Sequence, residues 1–269
     1  MGQTPGMTDP AVVLAVDDGV ATITLNRPAA MNSLDVATKV LLRDTVLGVA
    51  EDTSVRCVVL TGSGRAFCVG QDLNEHADLL AHGPSEDLFS TVVEHYNPTV
   101  TALATMPKPV LAAVNGVAAG AGASLAFACD LRIVAASAGF NLAFSQVALS
   151  CDTGSSWTLP RLVGHSRALD LMYFPRTLGA EEAGRIGLAD RVVPDAEFPQ
   201  VVSELARRLA DGPTLALAAI RRSVAYAAQH DLASSLDFEA TMMIQTGASA
   251  DHAEAVTAFL EKRRPTYER

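Results

Sequence analysis

The chain has 269 residues, 49% of them hydrophobic, and a formal net charge of −10, so it can bury a large core as one large domain or as one domain with a helical appendage. The acidic balance argues against nucleic acid or an anionic membrane as a partner, but not against a small phosphorylated ligand, which a few local basic side chains suffice to hold. Residues 1–10 lack the basic start and apolar core of an export signal, and no apolar run is long enough to span a bilayer, which points to a cytoplasmic protein without membrane contact.

In chain order, residues 1–10 read as a disordered tail, with Met7 as an alternative start. Apolar runs predict strands over 12–16 and 21–25, a helix over 36–50 and a strand over 57–61, an alternation that points to an α/β fold. The last of these strands runs into small residues, Thr61-Gly62-Ser63-Gly64-Arg65-Ala66-Phe67-Cys68-Val69-Gly70, just before the polar pair Gln71 and Asp72. Residues 82–87, rich in Gly, Pro, Ser and charge, predict a mobile loop, and 88–105 a helix. A second apolar strand, Val110-Leu111-Ala112-Ala113-Val114, enters the turn Asn115-Gly116-Val117-Ala118-Ala119-Gly120-Ala121-Gly122, which opens a buried helix. Beyond Pro194 the pattern is helical, over 198–210, 214–228, 232–246 and 250–262. The chain thus divides into a tail (1–10), a core (11–195) and a helical region (196–269).

Both glycine turns free backbone N–H groups, and at a helix N-terminus such donors suit a bound anion or a developing oxyanion. Their spacing fails the phosphate motifs. After Gly120-Ala121-Gly122 a dinucleotide fingerprint wants a third glycine where Leu125 stands, and neither turn is followed by the Gly-Lys-Ser/Thr of a P-loop. Gly122-Ala123-Ser124-Leu125-Ala126 has the form of a nucleophile elbow with alanine for its last glycine, which keeps a serine hydrolase open. The plainer alternative is that these glycines only let helix pack closely on sheet. Cys57, Cys68, Cys129 and Cys151 stand singly and read as reduced, mostly buried thiols; the histidines show no His-x-x-x-His pairing, so no metal site is indicated.

The flanking residues decide between these readings. They are Ile23-Thr24-Leu25-Asn26-Arg27-Pro28-Ala29-Ala30-Met31-Asn32-Ser33-Leu34, Gly64 through Leu73, residues 115–130, Pro160-Arg161-Leu162-Val163-Gly164, Leu178-Gly179-Ala180-Glu181-Glu182-Ala183, Gly187 through Pro194, and Ala258-Phe259-Leu260-Glu261-Lys262-Arg263. With these segments in this order the chain resembles the crotonase (enoyl-CoA hydratase/isomerase) superfamily nearly end to end. The resemblance implies a ClpP/crotonase-like spiral of ββα units, with a C-terminal helical region that packs across a homotrimer, usually a dimer of trimers. It also implies an acyl-CoA substrate, no cofactor beyond the coenzyme A of that substrate, and a thioester oxygen held between the N–H groups of Gln71 and Ala121. Each such donor is typically worth about 3 kcal/mol of transition-state stabilisation.

Hydratases of this superfamily set two glutamates around one water, and here those positions fall on Ser124 and Phe144. Neither can serve as a general base at neutral pH, and no glutamate lies between Ser124 and Asp152. Ser150-Cys151-Asp152-Thr153-Gly154-Ser155-Ser156-Trp157 matches the segment where isomerases and a related dehalogenase carry a catalytic aspartate, which makes Asp152 the candidate base. The continuation Trp157 through Leu162 resembles the phenylacetate-pathway epoxyphenylacetyl-CoA isomerase branch. Phe144, Val147, Leu149 and Trp157 are expected to surround Asp152 and raise its pKa by desolvation. The alternative for Asp152 is an ordinary N-cap of the following helix. Implied coenzyme A contacts are Arg27, Ala30, Met31, Ser33, Leu34, Asp72 and Leu73, with Phe259 and Lys262 of the last helix reaching in from the same or a neighbouring subunit. Arg27 and Lys262 read equally well as solvated charges. Leu79, Leu80, Phe89, Val92 and Val93 are candidates for the acyl pocket or for core packing, and Cys151 for a pocket wall. The expected function is enoyl-CoA isomerisation; the alternatives are an enoyl-CoA hydratase, a non-catalytic acyl-CoA binder and, last, a serine thioesterase through Ser124.

Overall fold

Along Val20–Leu25 the side chains of Ala21, Ile23 and Leu25 are sealed while those between them are half-buried, the period of a strand with one face in the core. Cys57–Gly62 and Val110–Val114 are buried on nearly every residue, as parallel strands covered on both faces must be. The computed structural model describes residues 10–83 and 88–267. In it β1 (Val12–Asp17) and β2 (Val20–Leu25) form an antiparallel hairpin through Asp18-Gly19, whose φ values of 49° and 81° suit a two-residue hairpin turn. Parallel pairing then carries the sheet through β3 (Cys57–Gly62), β5 (Val110–Val114), β7 (Leu131–Ala135) and β10 (Arg191–Val193), giving six strands in the order β1-β2-β3-β5-β7-β10. A second sheet of four short strands runs β4 (Ala66–Cys68), β6 (Val117–Ala119), β8 (Gly139–Asn141), β9 (Leu178–Gly179).

The pairs β3–β4, β5–β6 and β7–β8 each give one strand to each sheet. After each pair the chain enters a helix: α2 (Leu73–His82), α4 (Ala121–Ala128) and α5 (Ser155–Val163). This is the expected spiral of ββα units. Between them α1 (Val36–Glu51), capped by the Asp35 carboxylate on Thr38 N at 2.8 Å, packs against α3 (Asn97–Thr105). After α5 come α6 (His165–Tyr173) and α7 (Ala180–Arg185).

The C-terminal helices fall close to the expected boundaries: α8 (Phe198–Ala210), α9 (Thr214–Ala227), α10 (Leu232–Gly247) and α11 (Ala250–Leu260). Polar ties bind them to the core, with Arg56 Nε donating to Thr214 Oγ1 at 2.8 Å and Arg221 Nε to Asp130 Oδ1 at 2.6 Å. Their outer faces leave Ile220, Val224, Met243, Ile244, Phe259 and Leu260 exposed. Among the described residues no helix is long and apolar enough to cross a membrane.

The segment expected as one helix over 88–105 is broken. Helix begins at Ser90, loosens into a π-helical turn over Val92–Tyr96, where Asn97 N donates back to Val92 O, and only then continues as α3. The cause is Pro98, which has no N–H for Glu94 O; that carbonyl accepts from Arg43 Nη1 at 3.1 Å instead. Helix α2 had no counterpart in the expectations, and His82, expected to open a loop, is its last residue. Residues 84–87 of that loop, and 1–9 of the expected tail, lie outside the described residues.

Where α4 crosses β4, a Cβ on Gly122 would stand 2.1 Å from Cys68 O, whereas one on Gly48, on the exposed side of α1, would meet nothing within 4 Å. Gly122→Ala is therefore expected to cost about 3 kcal/mol or more, and Gly48→Ala to add roughly 0.5–1 kcal/mol. Denaturant unfolding of the pair checks this, and equal stability of Gly122→Ala and the wild type would refute the close-packing account.

Candidate active site

The two glycine turns meet at the floor of a cavity of about 720 Å³. On the first turn Leu34 N donates to Gly70 O at 2.8 Å and Asp72 N donates to Leu34 O at 3.1 Å. In such a parallel bridge the intervening residue presents its own N–H to the opposite side, so Gln71 N–H faces away from Leu34. On the second turn Ala121 is the first residue of α4, where backbone N–H groups have no helical acceptor. Gly120 before it takes φ 50° and ψ −126°, a conformation reserved for glycine. Gly70, at φ 84°, is so close that an added Cβ would lie 2.8 Å from Ala119 O and 3.1 Å from Ala121 N. Gln71, Gly120 and Ala121 all line the cavity, so both turns meet the same space.

Its walls are mostly apolar, formed by Val69, Leu73, Leu80, Phe89, Val92, Phe144, Val147 and Leu149. Of the side chains considered for an acyl pocket, Leu80, Phe89 and Val92 do line it. Leu79 and Val93 do not, and Val93 is 71% exposed. Cys151 forms part of the wall as expected, while burial pushes the thiols of Cys57, Cys68 and Cys129 up to about 12. Trp157, expected beside Asp152, is half-exposed on α5 with the Arg161 guanidinium stacked on its ring, and is not part of the wall.

Asp152 is the one carboxylate among the described residues that line the cavity. It is not an N-cap: α5 starts at Ser155 behind Gly154, and the Asp152 side chain instead accepts from Thr153 Oγ1 at 2.8 Å. Burial raises its pKa above the ordinary carboxylate value, with the Thr153 hydroxyl opposing the shift. Thr153 holds this arrangement at φ 53°, an uncommon conformation for a β-branched residue.

Ser124 is fully buried away from the cavity, its Oγ paired with Ser155 Oγ and Gly120 O, the latter at 3.0 Å. This placement removes the nucleophile-elbow alternative, because Ser124 has neither access nor a histidine partner. Phe144 stands on the cavity wall as an apolar surface.

The side chains of Arg27, Ser33 and Asp72 form one network. Arg27 Nη1 donates to Ser33 O at 2.6 Å and to Asp72 Oδ2 at 3.2 Å, its Nη2 pairs with Asp35 Oδ2 at 2.9 Å, and Ser33 Oγ donates to Asp72 Oδ2 at 2.9 Å. Asp72 also caps α2 through Asn74 N at 3.2 Å, and these contacts hold its pKa below the ordinary value against its burial. Arg27 is thus an ion-paired side chain rather than a solvated one, and Leu34 is sealed, with both its backbone groups in the bridge to the first turn. Ala30 and Met31 lie half-buried in the same loop, and Leu73 lines the cavity. Phe259 is 81% exposed, and neither it nor the exposed Lys262 lines the cavity of the same chain.

Sequence reasoning missed Tyr96, which lines the cavity beside these groups and donates from its hydroxyl to Gln71 Oε1 at 2.7 Å. The π-helical turn places it there, and Asn97-Pro98 was the available signal that the helical register changes.

The profile described as "Enoyl-CoA hydratase/isomerase" matches residues 15–269. A 1,2-epoxyphenylacetyl-CoA isomerase of Escherichia coli is 44% identical over 252 residues, 94% of this chain and 96% of that protein. A crotonyl-CoA hydratase of Syntrophomonas wolfei is 34% identical over 257 residues, 95% and 97% of the two chains. Among solved structures, an enoyl-CoA hydratase from Bacillus anthracis superposes with a TM-score of 0.90 at 33% identity, covering 96% of this chain and 98% of that one.

The raised pKa of Asp152 carries a stability consequence. The fold favours the neutral carboxyl, so this contribution is present below the unfolded pKa and is lost as pH rises through the folded one. Asp152→Asn, which never ionises, is expected to melt at or above the wild-type temperature at neutral pH and to lose that advantage in acid. Thermal scans at both pH values check this, and a variant less stable only at neutral pH would contradict the desolvated setting.

Proposed function

We propose, from the premise that the chain belongs to the enoyl-CoA hydratase/isomerase family, that it is an enoyl-CoA isomerase in which Asp152 moves the proton and Gln71 and Ala121 hold the enolate. The observation that carries this reading is that Asp152, the one carboxylate among the described residues that line the cavity, shares it with Gln71, Gly120 and Ala121 of the two glycine turns. The thioester oxygen of a 3-enoyl-CoA lies between the two donors, and the Asp152 carboxylate takes a proton from C2. The electron pair of that C–H bond enters a dienolate, whose charge collects on the oxygen facing the donors. The protonated Asp152 then returns its proton to C4, leaving a C2=C3 double bond and a regenerated carboxylate. A carboxylate with a raised pKa is the stronger base for this task. Hydration needs a water held and activated by carboxylates, and Ser124 and Phe144 supply none.

Coenzyme A lies along the loop of Ala30, Met31, Ser33 and Leu34 and past Asp72 and Leu73 at the cavity mouth, with Arg27 fixing the loop. No further cofactor enters the reaction. The exposed apolar faces of α9 to α11 support a homotrimer or a dimer of trimers, through which Phe259 and Lys262 of a neighbouring subunit approach the ligand.

The test supplies a 3-enoyl-CoA and, separately, crotonyl-CoA, and follows the conjugated thioester absorbance. Rapid 3-to-2 conversion with little hydration is expected, and Asp152→Asn is expected to lower its kcat about 10²–10⁴-fold. Strong hydration that survives the substitution would sink the isomerase reading, and tight binding of both thioesters without turnover would leave an acyl-CoA binder. For the assembly, sedimentation of the wild type should give a trimer or hexamer that Ile244→Glu weakens; a monomeric wild type would overturn it.

A further inference from the structure

A backbone donor needs no particular side chain, yet the Gln71 carboxamide is gripped from two sides. Tyr96 Oη donates to Gln71 Oε1 at 2.7 Å and Lys39 Nζ to the same oxygen at 3.2 Å. Both donors are interior, Tyr96 at 3% and Lys39 at 2% exposure, and the Lys39 charge is balanced by Glu75 Oε2 at 3.7 Å. The three residues come from separate elements, Lys39 from α1, Tyr96 from the end of the π-helical turn and Gln71 from the bridge that precedes α2. Gln71 N–H belongs to the peptide plane it shares with Gly70. Leu34 N holds the carbonyl of that plane, but glycine leaves the backbone next to it soft. Something must fix the other end.

We infer that Tyr96 is a positioning residue of the oxyanion hole: with Lys39 it clamps the Gln71 carboxamide, and through it keeps Gln71 N–H aimed beside Ala121 at the thioester oxygen. Burial and the nearby Asp152 charge keep the phenol protonated well above the usual tyrosine range, so Tyr96 is a donor at every working pH. The bond from Lys39 is charge-assisted and sheltered from water, which makes the clamp stiffer than a neutral surface hydrogen bond.

The inference rests on the reading that the thioester carbonyl sits between Gln71 and Ala121, and one probe separates the two. Cinnamoyl-CoA, which has no hydrogen to shift at C4, absorbs at longer wavelength when its carbonyl is polarised. Wild type and Asp152→Asn should both produce that red shift on saturation. Tyr96→Phe should lose most of it and lower kcat by about tenfold or more, with KM and the acid limb of the pH profile little changed. Gln71→Leu, which keeps the backbone and removes the gripped oxygen, should behave alike and serves if Tyr96→Phe folds poorly. A full red shift and full kcat in these variants would overturn the clamp while leaving the hole standing. No shift in the saturated wild type would overturn the thioester reading and the clamp together.

Discussion

The contact of two glycine turns, backbone against backbone, is the constraint on which this molecule depends. A methyl group on Gly122 would run into Cys68 O, and one on Gly70 into Ala119 O. Hydrogen alone fits at both points. Because α4 can approach β4 so closely, its N-terminus opens beside the bridge between Leu34 and Gln71 instead of being spaced off by side chains. The fold thereby brings together donors that most helices and strands would turn toward solvent or toward each other. Leaving such groups without a protein acceptor costs stability, and the wholly buried apolar helix α4 and the strands around it offset that cost.

This construction separates two chemical tasks. In the proposed reaction, charge on a substrate oxygen is met by main-chain groups whose position the spiral dictates, while proton transfer is left to whichever side chains face the same cavity. The reaction can therefore change without disturbing the fold. Ser124 turns inward to Ser155, closing the space with a hydroxyl pair, and Phe144 gives the cavity an apolar wall. Asp152, on another segment, is the one carboxylate among the described residues that line the cavity, and it is set against hydrocarbon. Burial of the Asp152 carboxyl makes it the stronger base on which the proposed proton shift relies.

What was readable in the residues follows from what physical signals each element carries. The four C-terminal helices were nearly placed to the residue because uninterrupted helical periodicity and Gly-Pro or Asp boundaries leave little choice, as in Asp211-Gly212-Pro213 before α9. Gln71, Ala121 and Asp152 were identified by motif and do come together on one cavity. Phe144, Val147 and Leu149, expected around Asp152, line the same cavity, whereas the polar partners were not foreseen, since their contacts depend on distances across the fold. Arg27 and Asp72 sit 45 positions apart and meet at 3.2 Å. Tyr96 and Gln71 meet only because a missing N–H at Pro98 shifts one turn of helix. Helix α2 escaped notice although Leu73, Ala77 and Leu80 recur at helical spacing; that stripe lines the cavity, and no residue of the helix is fully buried.

The energetic asymmetry of the site is concentrated at residues 152–154. A carboxylate placed where its charge is poorly solvated and a threonine at φ 53° are two consecutive departures from the lowest-energy choice, followed by Gly154, which takes φ 77° without steric penalty. A non-glycine residue held in the left-handed region typically costs about 1–3 kcal/mol, and Thr153 Oγ1 donates to the Asp152 carboxylate at 2.8 Å. A cap at the start of α5 would have been the easier use of this aspartate, lowering its pKa and satisfying the helix. The backbone twist at Thr153 prevents that use: α5 begins behind Gly154, and Asp152 is turned to the cavity. Stability is given up locally to keep a carboxylate basic, and the polar ties and buried strands elsewhere must be sufficient to carry it.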